Sequence, residues 1–126
     1  MRSTLLIVMT SFTLDIYYAD KAILESIETG FDLVDDRGWY SLHQHKTDKT
    51  FWRLDKWDKY QEQIFVRLNT PDNWTDFDDK ELRIGLLLKS RNTTTENCVW
   101  KDCNGPALTG LAYCARHAYE EMGIRK

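Results

Sequence analysis

Trp39-Tyr40-Ser41-Leu42-His43-Gln44-His45, Lys46-Thr47-Asp48-Lys49 and Thr50-Phe51-Trp52-Arg53-Leu54-Asp55 follow one another in mid-chain, and the reading of this stretch decides the fold. Residues that favour strands flank a polar loop of hairpin length, so the stretch predicts a β-hairpin. Gln63 to Leu68 predicts a third strand, with Ile64, Val66 and Leu68 on one face and Phe65 and Arg67 on the other, because side chains alternate along a strand. It ends at Asn69-Thr70-Pro71, where proline lacks the N–H that pairing needs.

Upstream, Thr4 to Thr10 is a short apolar run that reads as a buried strand or the start of a buried helix, its length favouring the strand. From Leu14 the period lengthens: Ile16, Ala19 or Asp20, Ile23 and Ile27 recur at three-to-four spacing with Leu24 alongside, and Gly30 stands where a helix ends, predicting a helix over 15–29. Phe31 to Gly38 reads as a turn-rich passage. Downstream, Thr75-Asp76-Phe77-Asp78 has the form of a helix capping box. Glu81 to Ser90 fits strand alternation nearly as well as helical period, and the cap decides for a helix. Arg91 to Asn97 reads as a polar linker. The elements sum to an α+β fold: an antiparallel sheet with flanking helices over residues 1–91, and a C-terminal lobe, 92–126, packed on that core.

That lobe holds all three cysteines, in the spacing Cys98-x4-Cys103-x10-Cys114-x2-His117. Thiolate and imidazole are the preferred ligands of structural zinc, and four such ligands close a tetrahedral sphere with no position left for water. The Cys114/His117 pair fits the first turn of a helix over 113–122. A buried thiol cluster or a Cys98–Cys103 disulfide are the competing readings. With Leu108, Gly110 and Tyr113 also matching, the window resembles small zinc modules of pattern C-x4-C-x4-L-x-G-x2-Y-C-x2-H.

The chain of 126 residues is 42% hydrophobic, 29% charged and 13% aromatic with five tryptophans, the composition of a folded soluble protein. The Leu5–Met9 run is shorter than the roughly 7–15 apolar residues of a secretory core, and no run approaches the roughly 18 of a membrane span, so a cytoplasmic protein is expected. There, clustered cysteines favour metal over disulfide. Net charge is only −3, but it is unevenly spread. Asp15, Asp20, Glu25, Glu28, Asp32, Asp35 and Asp36 face Lys21 alone, and Asp72, Asp76, Asp78, Asp79 and Glu81 face only Lys80. Acidic blocks suit a basic partner; solvated helix and loop faces are the plainer explanation.

His43 and His45 share a strand face and would suit metal ligation or acid–base work beside Asp35 or Asp36, but no third ligand stands at a recognisable spacing, and two polar residues on the open face of the hairpin is the plainer reading. Aromatic residues from Trp39 to Trp74 read mostly as core, with one or two left at an interface, where tryptophan and tyrosine act as anchors. Phosphate-loop, dinucleotide, nucleophile-elbow and zinc-protease signatures do not occur, so a non-enzymatic role is expected.

Gly38-Trp39-Tyr40-x-Leu42, the polar loop and Phe51-Trp52-Arg53-Leu54 resemble the strand-turn-strand signature of bacterial immunity proteins paired with polymorphic or contact-dependent growth-inhibition toxins. The resemblance runs from Gly38 to about Leu68 and does not include the cysteine module. It implies a small α/β domain that binds one cognate toxin in the cytoplasm and blocks its active site. A nuclease toxin with a basic cleft would then meet the acidic blocks, giving Asp15, Asp20, Asp32, Asp35, Asp36, Asp76, Asp78 and Asp79, with Trp74, as expected partner contacts. The rival expectation is a zinc-stabilised nucleic-acid-binding or regulatory module using the basic, aromatic segment Arg37 to Arg67. A hydrolase centred on His43 and His45 is the minor one.

Overall fold

Strand-forming residues organise the first part of the chain into one antiparallel sheet. In the computed structural model, which describes residues 12–126, β1 (Ile16–Tyr18) is followed by α1 (Lys21–Gly30), then β2 (Phe31–Asp36), β3 (Tyr40–His45), β4 (Phe51–Asp55) and β5 (Ile64–Leu68). The Thr4 to Thr10 run lies outside the described residues. Spatial order is β1-β5-β4-β3-β2. The expected hairpin is β3/β4, with His43 opposite Trp52 and Leu42 opposite Arg53, and the expected third strand is β5.

Two expectations upstream fail. The helix starts later than predicted because Ile16, Tyr17 and Tyr18 pair with Val66, Phe65 and Ile64 as a strand. Asp20 then caps α1 by accepting the Ile23 N–H at 2.9 Å. The passage Phe31 to Asp36 is an edge strand rather than turns: three aspartates lower its intrinsic strand preference, yet pairing with β3 holds it, with a register shift between Leu33 and Asp35. Gly38 turns β2 into β3 at φ +84°, a left-handed conformation that favours glycine even though a Cβ there would meet nothing.

Both sheet faces are covered. On one, Ile23 and Ile27 of α1 pack with Phe31, Trp52 and Phe65, and Phe12 adds edge-on ring contacts. Trp52 stacks on Phe65 at 4.9 Å between centroids. Truncating such a fully buried ring typically costs about 3–5 kcal/mol. On the other face Leu42 and Leu68 pack against Trp74, with Tyr40, Phe51 and Phe77 at the margin. Trp74 belongs to a short 3-10 turn, Trp74–Asp76, and Arg53 fixes that segment from the middle strand: 2% exposed, it donates from Nη1 to the carbonyls of Trp74, Thr75 and Phe77 at 3.2, 3.3 and 3.1 Å. Its guanidinium lies 4.5 Å from the Tyr40 ring centroid. The 3-10 turn stops at Asp76 and the next helix starts only at Lys80, with Asp79 at its N-cap position, so Thr75 is not the cap of that helix.

The chain divides into two compact units, Met1–Asp78 and Asp79–Lys126. The break therefore falls before the helix rather than at the expected Arg91/Asn92 boundary. In the second unit α2 (Lys80–Arg91) is the helix foreseen over Glu81 to Ser90, and the linker expected over Arg91 to Asn97 is a strand, β6 (Thr93–Asn97), paired antiparallel with β7 (Pro106–Leu108). α3 (Ala115–Glu120) closes the unit. Ile84 and Leu87 of α2 pack on Leu108, Ala115 and Ala118, which explains why the helix belongs here.

Replacing Arg53 by methionine keeps the reach but removes the donor for three carbonyls. R53M is expected to lose about 2–4 kcal/mol of first-unit stability by urea denaturation, with R53K recovering only part; parental stability in R53M would assign the hold to ring stacking alone. His43, buried and 6.1 Å from the Phe65 ring, has its pKa lowered from 6.5 by that burial, partly offset by the charge of Asp36. The unfolded chain then binds the proton first as pH falls, so this contribution is intact above about 6.5 and lost on acidification toward the folded-state value. An NMR titration should find His43 titrating below 6.5, and H43Q should lose less urea resistance than the parent between neutral and mildly acidic pH.

Candidate metal centre

Cys98 and Cys103 bracket the loop leaving β6, while Cys114 is the N-cap of α3 and His117 lies in its first turn. Segments up to 19 residues apart in sequence thus bring four soft ligands together. Their ligand atoms all lie within 4.8 Å of one another. Cys103 Sγ is 3.8 Å from Cys114 Sγ, and His117 Nδ1 is 3.5 Å from Cys98 Sγ and 3.3 Å from Cys114 Sγ. With metal–sulfur bonds of about 2.3 Å and metal–nitrogen bonds of about 2.0–2.1 Å, the edges of a tetrahedron are roughly 3.8 Å between sulfurs and 3.5 Å from sulfur to nitrogen. These three separations match tetrahedral edges, the four residues together could hold a metal ion, and the three cysteines are free thiols rather than a disulfide with one left over.

The surrounding main chain suits thiolates. The N–H groups of Trp100 and Gly105 each approach a sulfur, Cys98 and Cys103 respectively, at 3.4 Å. Burial pushes the Cys98 thiol up, but the main-chain N–H groups of Cys114 and Trp100 and hydrogen bonds with His117 and Cys103 outweigh it and bring it to about 6. Cys114 moves upward instead, through burial and the neighbouring thiols of Cys103 and Cys98. Trp100 stacks on the His117 ring at 5.1 Å and 23°, covering the ligand. Sequence reasoning missed this lid; its only signal is an aromatic residue inside the Cys98–Cys103 loop. With four ligands for four positions the arrangement can cross-link β6, β7 and α3 but leaves no vertex for a substrate.

The expected partner contacts separate. Asp32, Asp35 and Asp36 come together on edge strand β2, where Asp35 accepts from Arg37 Nε at 2.8 Å and that guanidinium holds its carboxyl below the usual range. Asp15 stands at the opposite sheet edge, 3.9 Å from Arg67, and Asp20 is occupied as a helix cap. Asp76 and Asp78 are exposed, whereas Asp79 forms a half-buried pair with Arg83 at 2.8 Å in the second unit. Trp74 is corrected outright: it is buried on the sheet and offers no contact surface. Among the described residues of the first unit the exposed aromatics are Trp39, Trp57 and Tyr60, at 77%, 68% and 83%. They lie on two loops joined by the Lys56 N–H to Trp39 carbonyl bond of 2.9 Å.

His43 and His45 do share a face, but it is the packed one. His43 Nε2 meets Ser41 Oγ at 2.8 Å, and His45 Nδ1 accepts the N–H groups of Thr47 and Asp48 while its ring packs 4.8 Å from Phe31. They serve packing and the hairpin turn. No described helix is long and apolar enough to cross a membrane. No family model matches the chain, and no curated protein or solved structure matches it.

Metal-stripped protein is expected to bind cobalt(II) at one equivalent with the absorption of a tetrahedral thiolate site. C114S should weaken binding by more than the roughly 10–100-fold typical of losing an outer-shell partner. An octahedral spectrum, or unchanged affinity in C114S, would exclude this coordination.

Proposed function

We propose that this chain is a non-enzymatic immunity protein that binds a cognate bacterial toxin in the cytoplasm and blocks its active site. In this reading the Cys3His centre holds a structural zinc ion. The supporting observation is the group of exposed aromatics Trp39, Trp57 and Tyr60 on two hydrogen-bonded loops, next to the acidic strand β2. Large, rigid aromatic side chains in such positions are the residues that anchor protein interfaces. Asp32, Asp35 and Asp36 beside them suit a toxin with a basic cleft, as a nuclease has, since complementary charge raises association rate and specificity. The resemblance of Gly38 to Leu68 to immunity proteins falls on the turn that carries Trp39.

A nucleic-acid-binding role is supported less, because Trp52, Arg53 and Phe65 of the basic, aromatic segment are in the core. For zinc, the thiolate-rich set and its tetrahedral spacing are the support. Apparent binding energies of about 10–16 kcal/mol for such sites would make the second unit depend on the ion.

The test is co-expression with the product of an adjacent toxin gene, followed by calorimetry on the purified pair. A tight one-to-one complex that loses at least tenfold in affinity, together with protection of the cell, in D32K/D35K/D36K is the expected result. Full protection and affinity in that variant would remove the acidic contact, and absence of any complex would remove the immunity role.

A further inference from the structure

Strand β2 ends the sheet, and no described strand lies beyond it. Open edges carry unpaired main-chain N–H and carbonyl groups, which proteins blunt with charges, bulges, short strands or covering elements and seldom leave apolar. This edge is different. At the register shift between Leu33 and Asp35 the alternation breaks, so two consecutive apolar side chains, Leu33 at 61% and Val34 at 49%, both face solvent. A bulge is a device that re-aims side chains, and here it builds an apolar step midway along an open edge. Trp39 continues the exposed apolar surface at the turn where β2 ends.

We infer that the outer edge of β2 takes an extended, basic segment of a partner protein as an added strand. Main-chain pairing would supply the affinity, and alternate side chains the selectivity. The charge on the strand selects the occupant. Asp32, Asp35 and Asp36 flank the apolar step, and their nearest counter-charges, Arg37 at 2.8 Å from Asp35 and Lys46 at 4.0 Å from Asp32, are exposed pairs that hold weakly. A second copy of this chain is disfavoured: antiparallel pairing centred on Val34 sets Asp32 of one copy against Asp36 of the other, and like charges directly opposed destabilise a strand pair. A strand with lysine or arginine alternating with aliphatic residues meets both the acids and the step. The inference deepens the toxin-binding reading by giving the form of the contact, and it rests on that reading only for the identity of the partner.

The experiment is an NMR titration of the full chain with three synthetic octapeptides: alternating valine and lysine, alternating valine and glutamate, and the lysine peptide N-methylated along one edge. The lysine peptide should shift amides of Asp32 to Asp36, slow the exchange of those facing outward, and bind at least tenfold more weakly to L33S, whose side chain supports no core. The glutamate and N-methylated peptides should not bind there. Equal binding of the N-methylated peptide would reduce the contact to charge and overturn strand addition. So would lysine-peptide shifts away from β2, outward amides already protected in the free chain, or a dimer that uses this edge. If the peptide binds β2 while no toxin complex forms, the immunity role fails and the edge stands; if the toxin complex forms and no lysine peptide reaches β2, the edge fails alone.

Discussion

A guanidinium with almost no water around it holds the first unit together. Arg53 sits on β4, the middle strand of five, and draws three carbonyls of residues 74–77 onto the sheet. Burying a cation carries a large desolvation cost, which hydrogen bonds and aromatic faces must offset. The Tyr40 and Phe77 rings, at 4.5 and 5.9 Å, supply the second part of that offset. Because the segment is drawn in, Trp74 becomes core and covers Leu42 and Leu68 on the second sheet face. The aromatics left outside are consequently those of the loops at one end of the sheet, the end where Trp39 and Lys56 meet.

The second unit solves the same problem by different means. Its apolar core is small, with Ile84, Leu87, Leu108, Ala115 and Ala118 as the buried members. Small cores of this kind seldom stand without a staple. Four convergent side chains that could hold a metal ion stand where one would act, between a two-stranded ribbon and a six-residue helix too short to persist alone. Surface pairs such as Arg116 with Glu81 and Glu120 decorate this arrangement and add little to it.

Where local chemistry agreed with tertiary context, the chain was legible. Alternation in Ile64 to Leu68, the polar loop at Lys46 to Lys49 and the cysteine spacing each specify their structure through neighbours in sequence. The failures share a cause as well. β2 and β6 are strands because of their partners: Asp32, Asp35, Asp36 and Asn97 argue against strand locally and are outvoted by pairing. Ile16 fits a helical period and a strand equally, and only its register with Val66 decides. Trp74 stood among the expected partner contacts, and nothing local announces that an arginine twenty-one residues earlier will draw its segment onto the sheet. The convergence of Cys98, Cys103, Cys114 and His117 was readable from their spacing; the exposure of Leu33 and Val34 was not, since it depends on a bulge.

The sheet order also has a kinetic side. Strands β2 through β5 form a meander in which each pairs with its sequence neighbour, whereas β1 reaches β5 across the span from Ile16 to Val66. Local pairings close cheaply and distant ones late, because loop closure must be met before the contact stabilises anything. β1 should therefore be the last strand to zip, with α1 docking as it does so. The edge that carries Leu33, Val34 and Trp39 belongs to the part of the sheet that assembles first, so a partially folded chain can already display its outer strand before the opposite border is in place.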